Sequence, residues 1–505
     1  MNTHLIFNQS WQFIETTYNF IFIYPDIFLI GILSISITYL VILDYFFKNK
    51  FILNNIAKAL TIVSLVIAGL LSYNNYLINL IGFQSLFINI NYNNFVQLII
   101  IGTTLFIILL SLDYFRKEKI IHFEYFILSL LALLGLFMLV YSYDLLSLYL
   151  AIELQSLCFY ILTTLKPYTN FSSEAGIKYF ILGAFSSGLL LFGSSILYGF
   201  TGLTDFYNLE LLFQNQGLSL ILTNGCLIGF IFIIAGLLFK LAAAPFHTWA
   251  PDVYEGSPTI ITTFFAIIPK IAIITLFSRV IIYLLNQHIF YFNQFLIFSG
   301  VLSLFIGTFG ALYQKKIKRL LAYSGISHVG FILISLSIIS IESFFSFFFY
   351  VLIYMILSLN LFSLILSFRK WTTNLKIKKI NEIIFLVRSN VLLTIILALS
   401  LFSVAGIPPL VGFYSKFYVF IAGLKSNFYI IIIIAALISV ISSMYYIRLI
   451  KLLFFKSYNY CFFLLNINYY NAILISFTFL FNFFFLFWPS VVVNYLNNLT
   501  FYLFL

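Results

Sequence analysis

The sequence predicts an all-α polytopic membrane protein of about 14 transmembrane helices, and three observations carry that reading. The first is composition: of 505 residues, 63% are hydrophobic and 8% charged, with a mean hydropathy of +1.10. A soluble protein carries about 25% charged residues, so this chain cannot cover its own surface with polar groups and its solvent is lipid. The second is a series of long, nearly charge-free windows. The third is the distribution of basic residues, which fall in alternate loops. Together these exclude disorder, collagen and a disulfide-stapled secreted fold. The 3 cysteines, Cys158, Cys226 and Cys461, stand apart with no CxxC pair, which leaves no framework for iron–sulfur clusters or structural zinc. Redox chemistry therefore belongs to a partner. The 64 Phe and 35 Tyr, with abundant Ile, Asn and Lys, suggest an AT-rich gene, such as an organelle's. Met1–Phe13 has no Lys or Arg ahead of its apolar stretch, so it does not read as a cleaved leader.

Windows long enough to cross a bilayer of about 30 Å lie near residues 26–44, 58–82, 95–113, 122–141, 144–165, 174–200, 220–244, 257–285, 290–313, 320–341, 343–368, 388–424, 426–448 and 470–489. They are continuous rather than alternating, which excludes a transmembrane β-barrel. Loops after odd-numbered spans carry Lys48, Lys50 and Lys58; Arg116, Lys117 and Lys119; Lys166; Lys315 to Arg319; Arg369 to Lys379; and Lys451 and Lys456. Loops after even-numbered spans are nearly free of base apart from Lys425, and several are acidic (Asp205, Glu210, Glu342). The positive-inside rule then places the odd-to-even loops in the cytoplasm or matrix and both termini on the other side. The net charge of +11 is thus a topology signal. Basic residues dispersed over short loops do not suit nucleic acid. The segment 369–379 reads as a solvated loop, with contact to anionic lipid headgroups as the alternative.

Charge inside a span is costly, about 2.5–3.5 kcal/mol at a helix centre, and marks transport paths. Glu153 lies mid-window in LLSLYLAIELQSLCFYIL, Lys270 is in the middle of span 8, and Lys240 ends the apolar run of span 7. Lys416 follows a break in span 12, Lys178 sits in the first turns of span 6, and His328 is in span 10. Lys178 and Arg279 read equally well as side chains that snorkel to an interface, and His328 as a histidine bonded to a neighbouring helix. Two spans are interrupted. FKLAAAPFHTWAPDVYEG places Pro245 and Pro251 in span 7, and SVAGIPPLVGFYSKF places Gly406, Pro408 and Pro409 in span 12. Proline removes a backbone donor, and broken backbone at membrane depth survives only where it is buried or lines a wet cavity. Matched breaks five spans apart predict inverted repeats. The division is a three-helix segment over 1–120, a first repeat over 121–288 (spans 4–8), a second over 289–455 (spans 9–13), and a C-terminal helix and tail over 456–505.

Burial disfavours a charged group and an opposite charge restores it. A lysine that meets Glu153 is held protonated and releases its proton on separation. Glu153, Lys240, Lys270, His328, water and Lys416 then form a proton relay at the bilayer midplane. No GxxxxGK[ST] and no GxGxxG motif is present, so the energy comes from a partner or an ion gradient.

The segments LYLAIELQSLCFYIL (148–162), SSEAGIKYFILGAFSSGLLLFGSSILYGFTG (172–202), GLLFKLAAAPFHTWAPDVYEGSPTIITTFFAIIPK (236–270), KKIKRLLAYSGISHVGF (315–331) and FSVAGIPPLVGFYSKF (402–417) resemble the subunit 2 family of respiratory complex I, the NADH:ubiquinone oxidoreductase. The resemblance covers roughly residues 140–420. It implies an antiporter-like fold of fourteen helices with two inverted five-helix repeats, and a proton-translocating subunit of a quinone reductase with no redox centre of its own. By resemblance, Glu153 matches the span-5 glutamate, Lys240 its span-7 partner, and Lys270 and Lys416 the lysines of spans 8 and 12. Lys178 and His247 fall on further polar positions, and His328 is secondary with them. The resemblance also implies that this chain binds no cofactor, while NAD, FMN, iron–sulfur clusters and ubiquinone belong to the assembly. Its implied partners are the other membrane and peripheral subunits and membrane lipid. The implied location is the mitochondrial inner membrane, ahead of a bacterial plasma membrane or thylakoid. A stand-alone Mrp-type cation/proton antiporter is the alternative, and APDVYEGSPT and YFILGAFSSG favour the complex I reading. Haem needs facing histidine pairs, which the scattered His4, His122, His247, His288 and His328 do not offer. A purely structural anchor leaves the buried charges unexplained.

Overall fold

Serine and threonine recur along the apolar windows, and in the folded chain most turn their hydroxyls back onto the carbonyl three residues earlier, as Ser129 does to Phe126, Thr263 to Ile260 and Ser335 to Ile332. A hydroxyl satisfied within its own helix costs little in lipid, so the windows remain helical. The computed structural model describes residues 35–40, 42, 50–74, 80–83, 85–118, 123–166, 169–214, 220–284, 289–369, 377–455, 469–485 and 487–504. Of span 1 (26–44) only residues 35–40 and 42 are among them, and Lys48, Lys119, His122, Lys370, Lys376, Lys456 and Cys461 lie outside.

In chain order the elements are α1 (Lys50–Asn74), β1 (Leu80–Gly82), β2 (Phe87–Asn89), α2 (Asn91–Glu118), α3 (Glu124–Tyr141), α4 (Leu145–Thr163), α5 (Asn170–Thr201), α6 (Phe206–Gln214), α7 (Leu220–Leu241), α8 (Trp249–Gly256), α9 (Thr259–Leu284), α10 (Ile289–Leu312), α11 (Ile317–Ser337), α12 (Ile341–Ser367), α13 (Val391–Ala405), α14 (Val411–Lys425), α15 (Tyr429–Phe455), α16 (Tyr469–Phe484) and α17 (Pro489–Phe504). Short helical turns over 380–389 connect α12 to α13.

Among the described residues 11 helices are long and apolar enough to cross a membrane, and the pair α16–α17, bent by 90°, would make 12. The window read over 388–424 is not one helix but two of 15 residues each, α13 and α14. The window read over 58–82 ends early. Helix α1 stops at Asn74, and residues 80–89 form an antiparallel hairpin with Leu80 opposite Asn89 and Gly82 opposite Phe87. Left-handed backbone at Phe83 (φ 54°) and Ser85 (φ 67°) turns this hairpin, and the Tyr143 N–H and Ser147 hydroxyl donate to its Leu86 carbonyl. Among the described residues this is the one sheet in a helical bundle, and apolar composition does not reveal it.

Neighbour relations recur along the chain. Helix α3 packs on α4, α4 on α5, α5 on α7, and α9 returns to α3. In the same order α10 packs on α11, α11 on α12, α12 on α13 and α14, and α15 returns to α10. The most apolar window of α9 is 100% buried and that of α11 is 94% buried, against 33% for α5 and for α15. Helices α9 and α11 are therefore the axis of the bundle, while α5 and α15 face outward.

The basic residues gather at one end. Glu118 at the end of α2 pairs with Lys166 and, at 3.0 Å, with Arg369, while Lys316 and Arg319 pair with Glu255. Arg369 is only 1% exposed, so this part of 369–379 is a buried tie rather than a solvated loop. The opposite end holds Asp144, Asp205, Glu342 and Lys425, which is paired with Glu342. Arg279 does not snorkel either: it is 1% exposed, and its Nη2 donates to the Leu139 carbonyl at 3.2 Å. That carbonyl lies in the last turn of α3, where backbone acceptors lack helical partners.

This separation predicts a labelling pattern. A cysteine at Lys315, at the exposed basic end, is expected to react with an impermeant maleimide from one membrane face only. A cysteine at Asn208, exposed on α6, is expected to react from the other face only. Labelling of both from the same side would overturn the arrangement.

Candidate functional site: a row of buried lysines along the bundle axis

The two interrupted spans end their first halves in the same way. At the end of α7 the Ala243 N–H bonds to Leu238 and the Ala242 N–H to Phe239, with Ala242 left-handed at φ 58°. At the end of α13 the Ile407 N–H bonds to Phe402 and the Gly406 N–H to Ser403, with Gly406 at φ 85°. Both are Schellman closures, which stop a helix by folding its last carbonyls back. Each break also contains a cis prolyl bond, Ala244–Pro245 and Pro408–Pro409. The Trp249 indole, at the start of α8, donates to the Phe239 carbonyl at 3.0 Å and stacks on Tyr179, which seals the first break.

Each break delivers a buried lysine to a helix C-terminus, where backbone carbonyls are in excess and favour a cation. Lys240 is 8% exposed in the last turn of α7. Its Nζ donates to the Tyr160 hydroxyl at 3.4 Å and sits 5.8 Å above that ring. Lys416, 6% exposed on α14, reaches back across its break and donates to the Ala405 carbonyl at 2.7 Å, over the Phe331 ring. Lys270 lies between them on α9, 5% exposed. It donates to the Tyr354 hydroxyl at 3.1 Å, and Tyr354 donates in turn to the Ala266 carbonyl at 3.2 Å. Among the described residues none of the three ammonium groups has a carboxylate within ion-pair distance.

A narrow chamber joins Lys240 to Lys270, and a second cavity lies beside His328. The chamber is lined by Gln155, Ser156, Tyr179, Trp249, Lys240 and Lys270, and the buried Gln155 Oε1 has no hydrogen-bond partner there. Pro269 lies on its wall within α9; lacking an N–H, it leaves the Phe265 carbonyl without its helical donor beside Lys270. Buried polar atoms of this kind are normally met by water. The second cavity is lined by Ala266, Ser324, Gly325, His328, Tyr354 and Ser358. The His328 Nδ1 is 2.8 Å from the Tyr350 hydroxyl, and the ring lies within electrostatic reach of both Lys270 and Lys416.

The structure thus brings Lys240, Lys270, His328 and Lys416 into one row. Glu153 stands at its start, half-buried on α4, close enough to Lys240 to act on its charge but not in contact with it. The Tyr160 hydroxyl, two turns along the same face, is Lys240's partner instead. Lys178 is not in the row. It is 42% exposed at the basic end and pairs with Glu174 at 2.7 Å and Asp252 at 3.1 Å. His247 lies in the turn after the first break, with its Nδ1 3.2 Å from the Pro245 carbonyl. Sequence reasoning missed Tyr160, Gln155, Tyr350 and Tyr354, because a tyrosine or glutamine in an apolar helix gives no signal until its neighbour is known.

Residues 142–442 match the family described as NADH:quinone oxidoreductase/Mrp antiporter, transmembrane. The chain is 41% identical over 450 residues to NADH-ubiquinone oxidoreductase chain 2 of Marchantia polymorpha, covering 87% of this chain and 90% of that one. It is 39% identical over 438 residues to NADH-quinone oxidoreductase subunit N of Pelagibacter ubique, covering 86% and 90%. The chain belongs to the chain 2/subunit N family. Similar folds are found in respiratory complex I of Thermus thermophilus (TM-score 0.76, 24% identity, 92% of this chain and 98% of that one) and in the Mrp complex of Dietzia sp. (TM-score 0.79, 15% identity, 94% and 96%). At those identities the likeness shows the fold alone.

Two glycines make room for the row. A Cβ on Gly325 would stand 3.0 Å from the Lys270 Nζ, and one on Gly406 would stand 3.0 Å from the Lys416 Nζ in a left-handed backbone. Gly406→Ala is expected to cost about 1–2 kcal/mol from that backbone alone, read as a lower melting temperature of the assembled protein. Gly325→Ala keeps the helix but displaces the ammonium, so assembly is expected to persist while proton coupling falls. Unchanged coupling in Gly325→Ala would show that the Lys270 position is not critical.

Proposed function

We propose that this chain is a proton-translocating membrane subunit of an NADH:ubiquinone oxidoreductase, moving protons through its buried lysine row while other subunits carry the redox chemistry. The observation that supports this reading above others is the row itself, Glu153–Tyr160–Lys240–chamber–Lys270–Tyr354–His328–Lys416, along the most buried axis of the bundle. Burying three lysines is expensive, and a scaffold would have no use for them. Each ammonium is held by a neutral oxygen and not by a carboxylate, so a proton can leave or arrive without breaking an ion pair. Glu153, near Lys240 but not on it, sets the field in which that lysine exchanges. Tyr160 and Tyr354 offer hydroxyls that both donate and accept, and the two cavities leave room for the intervening water.

In this reading the spans over 121–288 and 289–455 are the two repeats, each contributing one broken helix and one terminal lysine. The recurring neighbour order supports that division. The partners are the remaining membrane and peripheral subunits, with NAD, FMN, iron–sulfur clusters and ubiquinone held outside this chain. The abundance of residues read from AT-rich codons supports a mitochondrial inner membrane location. A stand-alone Mrp-type antiporter shares the fold, but the relatives at about 40% identity over most of the chain carry the NADH-ubiquinone and NADH-quinone oxidoreductase names.

The test is proton pumping by assembled complex carrying Lys240→Arg or Lys240→Ala. Guanidinium does not give up its proton in proteins, so both variants are expected to lose at least about tenfold in pumping while the complex assembles. If Lys240 only anchored α7, arginine would rescue, and wild-type pumping by Lys240→Arg would sink the relay. Glu153→Gln keeps shape and hydrogen bonding but removes the charge acting on Lys240. It is expected to reduce coupled turnover while NADH oxidation by an artificial acceptor on the peripheral subunits is untouched. Normal coupled turnover from pH 6 to 8 would remove Glu153 from the mechanism.

A further inference from the structure

The 8 residues of α8 separate two cavities of opposite character. Trp249 and Tyr254 line the enclosed chamber of Lys240 and Lys270. Asp252, Glu255 and Gly256 line a polar hollow of about 620 Å³ that opens at the basic end. Helix α5 divides in the same way, with Tyr179 on the chamber and Glu174, Ala175 and Lys178 on the hollow. The wall between the cavities is one layer thick. A Cβ on Gly256 would stand 2.4 Å from the Phe171 carbonyl oxygen and 2.5 Å from the Ala175 Cβ, so α5 and α8 close on each other without an intervening side chain.

Ion pairs hold this wall shut. Asp252 accepts from Lys178 at 3.1 Å and from Arg319 of α11. Lys178 also pairs with Glu174, and Arg319 with Glu255 at 2.8 Å. Lys316 bonds to Glu255, and the Lys318 Nζ donates to the Ser257 carbonyl at 2.6 Å. An electrostatic staple would account for the pairs. It would not account for a carboxylate set into the thin wall of a chamber whose lysines need a proton supply from this side.

We propose that Asp252 is the intake carboxylate of the proton path, taking a proton from water at the basic end and passing it across α8 toward Lys240, with Lys178 and Arg319 as its latch. The proposal rests on the relay reading above. Burial alone would raise the proton affinity of the Asp252 carboxyl, but the hydrogen bonds and charges of Lys178 and Arg319 outweigh it and hold the group below the usual carboxylate range. When the two cations withdraw, burial is what remains and the carboxylate binds a proton from hydronium, releasing water. When they return, they favour the carboxylate again and expel that proton, which the neutral amine of Lys240 accepts through chamber water to become ammonium. Opening and loading are one event, so the intake does not stand open to both sides at once.

The experiment uses the assembled complex in sealed vesicles. Asp252→Asn keeps size and hydrogen bonding but cannot carry the proton, and pumping is expected to fall by about tenfold or more, with Asp252→Glu recovering most of it. Lys178→Met removes half of the latch and leaves the carboxylate facing Arg319, Glu255, Glu174, Lys316 and Lys318. The alkaline limb of the pumping-versus-pH profile is then expected to move to higher pH, because the carboxyl holds its proton more tightly. A staple would give loosened assembly in both variants and no movement of the limb. Wild-type pumping by Asp252→Asn, or an unmoved limb in Lys178→Met, would overturn the proposal, and the second readout decides if Asp252→Asn does not assemble. Loss of pumping in Lys240→Arg together with normal pumping in Asp252→Asn would reject the intake alone. Normal pumping in Lys240→Arg would reject the relay beneath it.

Discussion

A cation buried in a lipid-solvated bundle must find an oxygen, and almost every unusual feature of this protein follows from that need. The backbone of a continuous helix offers none, because its carbonyls are already bonded within the helix. The chain answers by stopping two spans in mid-course, which frees carbonyls at the ends of α7 and α13. The Ala405 carbonyl goes directly to Lys416. At the first break the Phe239 carbonyl is taken by the Trp249 indole instead, and Lys240 turns to a phenol. The same backbone device thus serves one lysine by contact and the other by placement.

The axis and the periphery of the bundle divide the work accordingly. Helices α9 and α11, buried on all sides, carry Lys270 and His328. Helices α5 and α15 spend most of their surface on whatever surrounds the chain, and they carry phenylalanine, leucine and isoleucine there. Charge that is not on the axis is sent to the two ends. There it forms ion pairs of modest worth singly that still tie distant parts of the sequence, as Glu118 ties residues 166 and 369.

Much of this was legible in the residues. Hydropathy located the spans, the proline clusters located both breaks, and Glu153, Lys240, Lys270 and Lys416 stood out because ionisable groups are rare in apolar windows. What stayed hidden depended on relations between helices. Lys178 and Arg279 looked alike in sequence, each a cation inside a window. One lies in an open hollow and the other beneath a helix end, because α5 is peripheral and α9 is central. The expected meeting of Glu153 with Lys240 is filled by Tyr160, seven residues on from the glutamate and on its face of α4. The first strand of the hairpin, 80–82, falls inside the window over 58–82 because Leu80 and Ile81 are as apolar as their helical neighbours, while the second strand lies outside any window.

The hydroxyls fall into two populations with different fates under mutation. Most serines and threonines bond only to their own helix, so exchanging one for alanine removes both donor and need together. Tyr160, Tyr350 and Tyr354 bond across helices to groups that have few alternatives. A tyrosine codon lies one base from a phenylalanine codon, and the exchange leaves volume and ring packing nearly intact. Such a change would pass unnoticed in any survey of membrane insertion. In the lineage that carries this chain, purifying selection on the row is therefore expected to fall less on its charges than on three phenolic oxygens.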